Sequence, residues 1–224
     1  MTPSQPPRLV IFDCDGVLVD SELISNRILA KGLSAHGLRI SPEQCRRRFT
    51  GISMASVRAK VERDLGHALA PDFEAEIRAL DIKVFEKELK PVTGIAEALS
   101  NIPVPVCVAS SGSPEKINHS LRITGLADAF GENLFSAAMV ANGKPAPDLF
   151  NLAALRMATP PEHTVVIEDS VAGVIAAGLA HMPVFGFSGA SHAKDDAGYQ
   201  EKLTDAGADV VFDDMSRLAE LLGF

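Results

Sequence analysis

The pattern of hydrophobic positions divides the chain into two kinds of segment. Leu9-Val10-Ile11-Phe12 is an apolar run bounded by polar residues, as is typical of a strand buried on both faces of a parallel sheet. Four more apolar runs follow beyond residue 90, separated by segments long enough for helices. This spacing predicts βαβ units and hence a parallel sheet. The four runs lie at 104–109, 165–167, 184–187 and 210–212.

Helix-length segments fill the intervals between these runs. Pro103 and Pro105 weaken the prediction of a strand at the start of the second run, because proline cannot donate to a strand ladder. The expected helices of this region span 114–123, 147–157, 171–180 and 195–206, and a last one lies near 216–222.

Residues 21–89 carry helical signals alone. Ser21 can cap a first helix, and Ser41-Pro42 combines a capping residue with proline at the first helical position. A turn signal at 91–94 then ends the helical region. The expected helices cover 21–37, 41–49, 54–65 and 71–89.

These elements predict an α/β fold with a doubly wound, Rossmann-like parallel sheet and an inserted helical cap domain. Residues 1–20 and 90–224 would form the core, and residues 21–89 the cap. The chain has 224 residues, 46% of them hydrophobic, which is enough to bury a substantial core in one or two domains.

Composition and charge exclude several classes of function. The net charge of −8 argues against a broad surface for nucleic acids or anionic membranes. No stretch approaches the roughly 20 apolar residues of a membrane span, and Met1–Pro7 lacks the features of a signal peptide, so we expect a cytoplasmic protein. The three cysteines are dispersed and form no Cys-x-x-Cys pair, which argues against disulfides and a zinc site.

Polar residues follow the ends of several predicted strands, where open parallel sheets bind their ligands. Gly143-Lys144-Pro145 precedes a helix in the same half of the chain and can reach that edge. Taken singly, each of these residues could belong to a turn or a helix cap. Their joint occurrence at one sheet edge indicates a site. The strand-end residues are Asp13, Asp15, Ser110, Ser111, Glu168 and Asp169.

The residue types suit phosphoryl transfer with a divalent cation. Mg²⁺ prefers oxygen ligands and takes one or two carboxylates together with substrate phosphate oxygens, so Asp13 and Asp169 fit as ligands. Two carboxylates about 4 Å apart repel by roughly 4 kcal/mol at an effective dielectric constant of about 20. The cluster therefore needs a cation, Lys144 or a shared proton.

Four segments resemble, in order, the motifs of the haloacid dehalogenase superfamily, and the resemblance spans the whole chain. The helical insertion after the first strand resembles the cap of the group containing β-phosphoglucomutase and the phosphoglycolate and sugar-phosphate phosphatases. The four segments are Asp13–Glu22, Val108–Ser111, Gly143–Asp148 and Ile167–Gly173.

This resemblance implies a role for each residue. Asp13 would attack phosphorus and carry an aspartyl-phosphate, while Asp15 would act as general acid and base and offer its backbone carbonyl to the metal. Ser110 and Lys144 would hold the phosphoryl oxygens. Metal contacts would come from Asp13, Asp15, Asp169 and Glu168, the last directly or through water. Candidate substrate contacts are Ser110, Ser111, Lys144, Gly51, Ile52 and Ser53.

Other chemistries remain as alternatives. Dehalogenases of the superfamily lack the second aspartate of the first motif, which Asp15 supplies here. Relatives that are mutases carry a histidine and an arginine where this chain has Ser25 and Met54, so a phosphosugar mutase is the second hypothesis. A receiver-like phospho-aspartate signalling module is the third, although receivers lack a helical insertion of this length.

The expected substrate is a small phosphorylated metabolite, because a cap that closes over the site favours small esters. A Mg²⁺-dependent phosphatase of sugar, sugar-acid or polyol phosphates is therefore predicted, with 6-phosphogluconate, phosphoglycolate and 2-deoxyglucose 6-phosphate as first compounds to test. Relatives are often monomers, and a monomer is expected here.

Overall fold

The computed structural model describes residues 5–194 and 196–224. Within these ranges six strands form one sheet in which every neighbouring pair is parallel. The order is β3-β2-β1-β4-β5-β6, so the first strand of the chain lies in the middle of the sheet. The strands are β1 (Leu9–Phe12), β2 (Val106–Ser110), β3 (Leu134–Ser136), β4 (Thr164–Glu168), β5 (Val184–Phe187) and β6 (Val210–Phe212).

The predicted strands are confirmed, and one strand was not predicted. β5 and β6 have the predicted bounds, and β2 begins only after Pro105, whose carbonyl accepts the Val10 N–H at 3.1 Å. The missed strand, β3, was not recognised because its sequence, Leu134-Phe135-Ser136, contains only two apolar residues in a row.

Twelve α-helices lie in the described part of the chain. None is long and apolar enough to cross a membrane. They are α1 (Glu22–Ala35), α2 (Pro42–Phe49), α3 (Met54–Leu65), α4 (Phe73–Glu88), α5 (Ile95–Ser100), α6 (Pro114–Ile123), α7 (Ala127–Phe130), α8 (Asp148–Arg156), α9 (Val171–Leu179), α10 (Ser191–Lys194), α11 (Tyr199–Asp205) and α12 (Leu218–Leu221).

Some helix predictions need correction. The helix expected over 195–206 is confirmed as α11 but begins later than predicted, at Tyr199, and the short helix α10 before it was not predicted. Asp195 lies outside the described residues, as do residues 1–4 at the start of the predicted core. The short helices α5 and α7 were not predicted. The expected helix near 216–222 is a 3₁₀ turn, Met215–Arg217, followed by α12.

Alternate residues of β1 pack into two apolar layers, one on each face of the sheet. Val10 and Phe12 face a layer that includes side chains of α5, α6 and α12. Leu9 and Ile11 face a second layer with side chains of α8 and α9. All four side chains are fully buried. Helices thus cover both faces, which confirms the doubly wound parallel sheet.

Helices α1 to α4 form a third apolar cluster of their own. It contains the fully buried side chains of Leu33, Val61 and Phe73. Ser41 caps α2 as predicted, because its hydroxyl accepts the Gln44 N–H at 3.1 Å while the Gln44 side chain accepts the Ser41 N–H at 2.8 Å. The all-helical character of the insertion is confirmed.

The two ends of the helical insertion run side by side. Val19 forms an isolated antiparallel bridge with Pro91. The Asp20 N–H donates to the Lys90 carbonyl at 3.0 Å, and the Val92 N–H donates to the Leu18 carbonyl at 2.9 Å. The insertion is therefore attached to the sheet through one paired connection.

Removing the Leu9 side chain beyond Cβ should destabilise the fold strongly. Leu9→Ala leaves a cavity beside the central strand, and we expect a loss of about 2–5 kcal/mol in the free energy of unfolding. Leu155→Ala is the matched control, because that side chain is 76% exposed in α8, and it should change stability by less than about 0.5 kcal/mol. Urea denaturation followed by circular dichroism measures both, and similar losses would contradict the packing described.

Candidate active site

Three neighbouring strands deliver polar side chains to one edge of the sheet. Asp13 follows the last residue of β1, Ser110 ends β2, and Glu168 ends β4. Because β2, β1 and β4 are adjacent and parallel, their carboxyl ends lie next to each other. Asp13, Ser110 and Glu168 are buried, with exposed fractions between 1% and 6%.

Lys144 joins this group from the segment between β3 and α8. Its Nζ donates to Asp13 Oδ1 at 2.5 Å and to Glu168 Oε2 at 2.8 Å. Burial alone would lower the pKa of Lys144, but the two carboxylates outweigh it and raise that pKa. The ammonium group therefore stays charged and neutralises part of the acidic cluster.

Asp13, Glu168 and Asp169 form a buried carboxylate cluster whose ligand atoms all lie within 4.8 Å of one another. Burial raises the pKa of Asp13 well above its ordinary value, and the neighbouring carboxylates Glu168 and Asp169 add to that rise. Burial likewise raises the pKa of Asp169. Oxygen donors packed this closely fit a hard divalent cation, which would favour the ionised form of each carboxylate.

Gly16 allows Asp169 to approach the turn after β1. Its φ is +82°, a conformation that residues with a side chain rarely adopt. A Cβ atom at this position would lie 1.9 Å from Asp169 Oδ2. Glycine is therefore required at position 16 on both conformational and steric grounds.

Asp15 points away from the carboxylate cluster and into the neighbouring cavity. Its Oδ1 lies 3.0 Å from Lys116 Nζ and accepts a hydrogen bond from the Ser21 hydroxyl. The predicted capping of α1 by Ser21 is wrong, since its hydroxyl bonds to Asp15 and makes no cap bond. The nearby carboxylate is a charged acceptor and forms the stronger hydrogen bond.

The two serines after β2 have different partners. Ser110 Oγ accepts the Gly112 N–H at 3.0 Å, and Ser110 lines the same cavity as Asp13. Ser111 donates to the Gly51 carbonyl at 3.1 Å and so links the sheet edge to the helical insertion. Gly51 and Ile52 line the cavity, whereas the Ser53 hydroxyl caps α3 by accepting the Ser56 N–H at 3.2 Å.

Sequence reasoning missed several polar residues at this site. Lys116 lies in the first turn of α6, and its position just after the Ser113 cap could have placed it near the sheet edge. His192 lies in the unpredicted helix α10, with its Nε2 3.1 Å from Asp169 Oδ2. Tyr199 donates to the Asp169 carbonyl at 2.9 Å. No local motif in the sequence marks His192 or Tyr199.

A cavity of about 150 Å³ lies between the sheet edge and the helical insertion. Asp13, Asp15 and Ser110 line it from the sheet, and Asn26 and Asp81 line it from α1 and α4. Both the sheet edge and the helical insertion therefore contribute to one cavity next to the buried carboxylates. Its size suits a small molecule.

Asp81 is the buried carboxylate on the far side of this cavity. Its exposed fraction is 6%, and its Oδ1 has no hydrogen-bond partner among the described residues. Burial raises the pKa of Asp81 to about 6, although Lys116 opposes the rise. Asp81 is thus a carboxylate that the fold buries without providing a donor for that oxygen.

The sequence of this chain matches the family of haloacid dehalogenase-like hydrolases over residues 7–181. The 6-phosphogluconate phosphatase of Escherichia coli (strain K12) is 35% identical over 186 residues, which cover 83% of this chain and 84% of that enzyme. Hexitol phosphatase A of the same organism is 31% identical over 180 residues, which cover 76% of this chain and 77% of that enzyme.

Solved structures show the same architecture. The crystal structure of a conserved haloacid dehalogenase-like protein from Agrobacterium tumefaciens str. C58 superimposes with a TM-score of 0.79 at 35% sequence identity. The match covers 96% of this chain and 97% of that chain. The resemblance seen in the four sequence motifs is confirmed over nearly the whole fold.

The raised pKa of Asp81 should make stability depend on pH. Because the folded state holds this proton up to about pH 6, against 3.8 for an ordinary aspartate, stability is lost as the pH rises through that range. Asp81→Asn cannot ionise, so its stability relative to wild type should increase by about 1 kcal/mol between about pH 5 and about pH 8.

Urea denaturation at the two pH values measures this difference. Asp205→Asn, at an exposed position of α11, is the control and should keep a constant offset from wild type. A constant offset for Asp81→Asn as well would show that the burial of Asp81 is not linked to its proton.

Proposed function

This chain belongs to the haloacid dehalogenase-like hydrolase family and is a phosphoric monoester hydrolase, and from that premise we propose that it is a Mg²⁺-dependent phosphatase of sugar, sugar-acid or polyol phosphates. The observation that carries the proposal is the buried pair of Asp13 and Lys144 beside a cavity of small-molecule size. The similarity to a 6-phosphogluconate phosphatase and to a hexitol phosphatase supports the substrate class.

In the proposed first step, a carboxylate oxygen of Asp13 forms a bond to phosphorus as the bond to the alcohol oxygen breaks. Asp15 gives a proton to the departing alkoxide. Its place in the lining of the same cavity as Asp13 supports this role, and its hydrogen bond from Ser21 fixes the orientation of the carboxyl group. The products of this step are the free alcohol and a phosphorylated Asp13.

In the second step, a water oxygen bonds to phosphorus while the bond from Asp13 breaks. Asp15 takes the proton of the attacking water, so both carboxyl groups return to their starting states. Lys144 and Ser110 are proposed to donate hydrogen bonds to the phosphoryl oxygens throughout. The buried ammonium is suited to this, because electrostatic stabilisation is strongest where water is excluded.

A bound Mg²⁺ would neutralise charge on the phosphoryl oxygens, and we assign it to Asp13, Asp169 and the backbone carbonyl of Asp15. Glu168 is proposed to act beside the metal, directly or through water. Its Oε2 accepts from Lys144 and its Oε1 accepts from the Ser170 hydroxyl at 2.6 Å, so the protein already orients both oxygens.

The helical segment 21–89 is proposed to be a cap domain on a core made of residues 1–20 and 90–224. Its separate apolar cluster and its paired connection to the sheet support this division. We propose that Ser111, Gly51, Ile52 and Ser53 approach the substrate when the cap closes. Closure would exclude water other than the attacking molecule.

Removing the proposed nucleophile should abolish turnover. Asp13→Asn is expected to reduce phosphate release from p-nitrophenyl phosphate and from a panel of phosphorylated metabolites by at least about a thousandfold. Asp205→Asn, at an exposed site, should retain wild-type rates. Wild-type protein that releases one equivalent of phosphate and stops, or that isomerises hexose 1-phosphate without hydrolysis, would contradict the phosphatase assignment.

Magnesium should stabilise the folded protein in the absence of any substrate. At saturating Mg²⁺ we expect a gain of about 1–3 kcal/mol in the free energy of unfolding, reversed by EDTA, because the cation offsets carboxylate repulsion. Asp169→Asn should lose this gain, and Asp205→Asn should keep it. Differential scanning fluorimetry with and without Mg²⁺ measures each response, and an equal magnesium effect in Asp169→Asn would exclude Asp169 as a ligand.

A further inference from the structure

We infer that Asp81 is a specificity-determining residue that accepts a hydrogen bond from a hydroxyl group of the substrate alcohol. This inference rests on the proposed phosphatase function and deepens it, because it selects polyhydroxylated phosphate esters as the substrate class. Asp81 lies on α4 of the helical insertion and lines the same cavity as Asp13 and Asp15.

The first observation is the missing partner of Asp81. Its side chain is more than nine-tenths buried, yet Oδ1 receives no hydrogen bond from the residues that the structure describes. A buried carboxylate oxygen without a donor is costly, and native proteins rarely keep one without a functional reason. A ligand hydroxyl in the cavity would supply the donor.

The second observation is that the other charged groups around this part of the cavity already have partners. Lys116 is paired with Asp15 at 3.0 Å. Glu22 accepts hydrogen bonds from Asn26 at 2.9 Å and from Thr50 at 3.1 Å.

The remaining charges nearby are likewise engaged. Arg78, one helical turn before Asp81, is directed to Glu115 at 3.0 Å. Glu74 accepts a hydrogen bond from Arg58 at 2.8 Å. Among the described residues on this side of the cavity, Asp81 therefore keeps a carboxylate oxygen that accepts no hydrogen bond, although the charge of Lys116 lies close enough to act on it.

Hydroxyl donors are the chemistry that such an oxygen recognises. A carboxylate accepts hydrogen bonds from hydroxyl groups and forms stronger bonds than a neutral acceptor does. A site built to bond a substrate hydroxyl discriminates against analogues that lack it, because its polar group is then left unpaired. Simple aryl phosphates would gain nothing from Asp81.

The test compares a hydroxylated ester with one that has no hydroxyl groups. In Asp81→Leu, kcat/KM for a hexitol phosphate or for 6-phosphogluconate should fall about ten- to a hundredfold, whereas kcat/KM for p-nitrophenyl phosphate should change less than about twofold. Asp81→Asn keeps a neutral acceptor and should fall between Asp81→Leu and wild type. Glu86→Leu, an exposed acid on the same helix, is the matched control and should leave both esters unaffected.

Equal losses for both kinds of ester in Asp81→Leu would indicate a structural role and overturn the inference, as would an unchanged rate on the hydroxylated ester. A wild-type protein that hydrolyses neither ester would instead refute the proposed function. In that case calorimetry decides the role of Asp81. It compares the dissociation constant of the hydroxylated ester for the Asp13→Asn variant with that for the double variant Asp13→Asn/Asp81→Leu. At least about tenfold weaker binding in the double variant is expected, and equal binding would refute it.

Discussion

The ion pairs between Lys144 and the carboxylates Asp13 and Glu168 are the interaction on which the site depends. Three acidic side chains are buried within a few ångströms at the edge of the sheet, and their mutual repulsion is large where water is scarce. One ammonium group offsets only part of this charge. The remaining negative charge explains why the cluster fits a divalent cation. Removing one partner of a buried pair typically costs about 3–5 kcal/mol, so the stability of the fold and the chemistry of the site are coupled through Lys144.

The sheet and the motif residues could be predicted because their signals are local. β5 and β6 are uninterrupted apolar runs, and the rule that parallel strands bind ligands at their carboxyl ends places Asp13, Ser110 and Glu168 together. β3 was missed because Leu134-Phe135-Ser136 contains only two consecutive apolar residues. The predicted capping of α1 by Ser21 was wrong because the carboxylate of Asp15 is a stronger acceptor for its hydroxyl.

The residues that were missed reach the site through tertiary packing. His192 and Tyr199 meet Asp169 only because β4 and β5 are neighbours, and Asp81 faces the sheet edge only because α4 packs beside α1 and α6. Asp81 lies in the middle of α4, where its sequence position resembles that of an ordinary solvated residue. The burial of Asp81 opposes stability near neutral pH, which is typical of positions selected for binding rather than for packing.

The paired connection at Val19 and Pro91 limits how the helical insertion can move relative to the sheet. Because the two connecting segments, at Val19–Asp20 and Lys90–Val92, lie side by side, we expect them to serve as one hinge. The main motion of the insertion relative to the sheet should then be a rotation about this hinge that opens or closes the cavity. If the proposed cap is a separate domain, we expect that a foreign helical insertion could be joined at two splice points, next to Asp20 and Lys90, provided that it replaces the hydroxyl that Ser21 donates to Asp15.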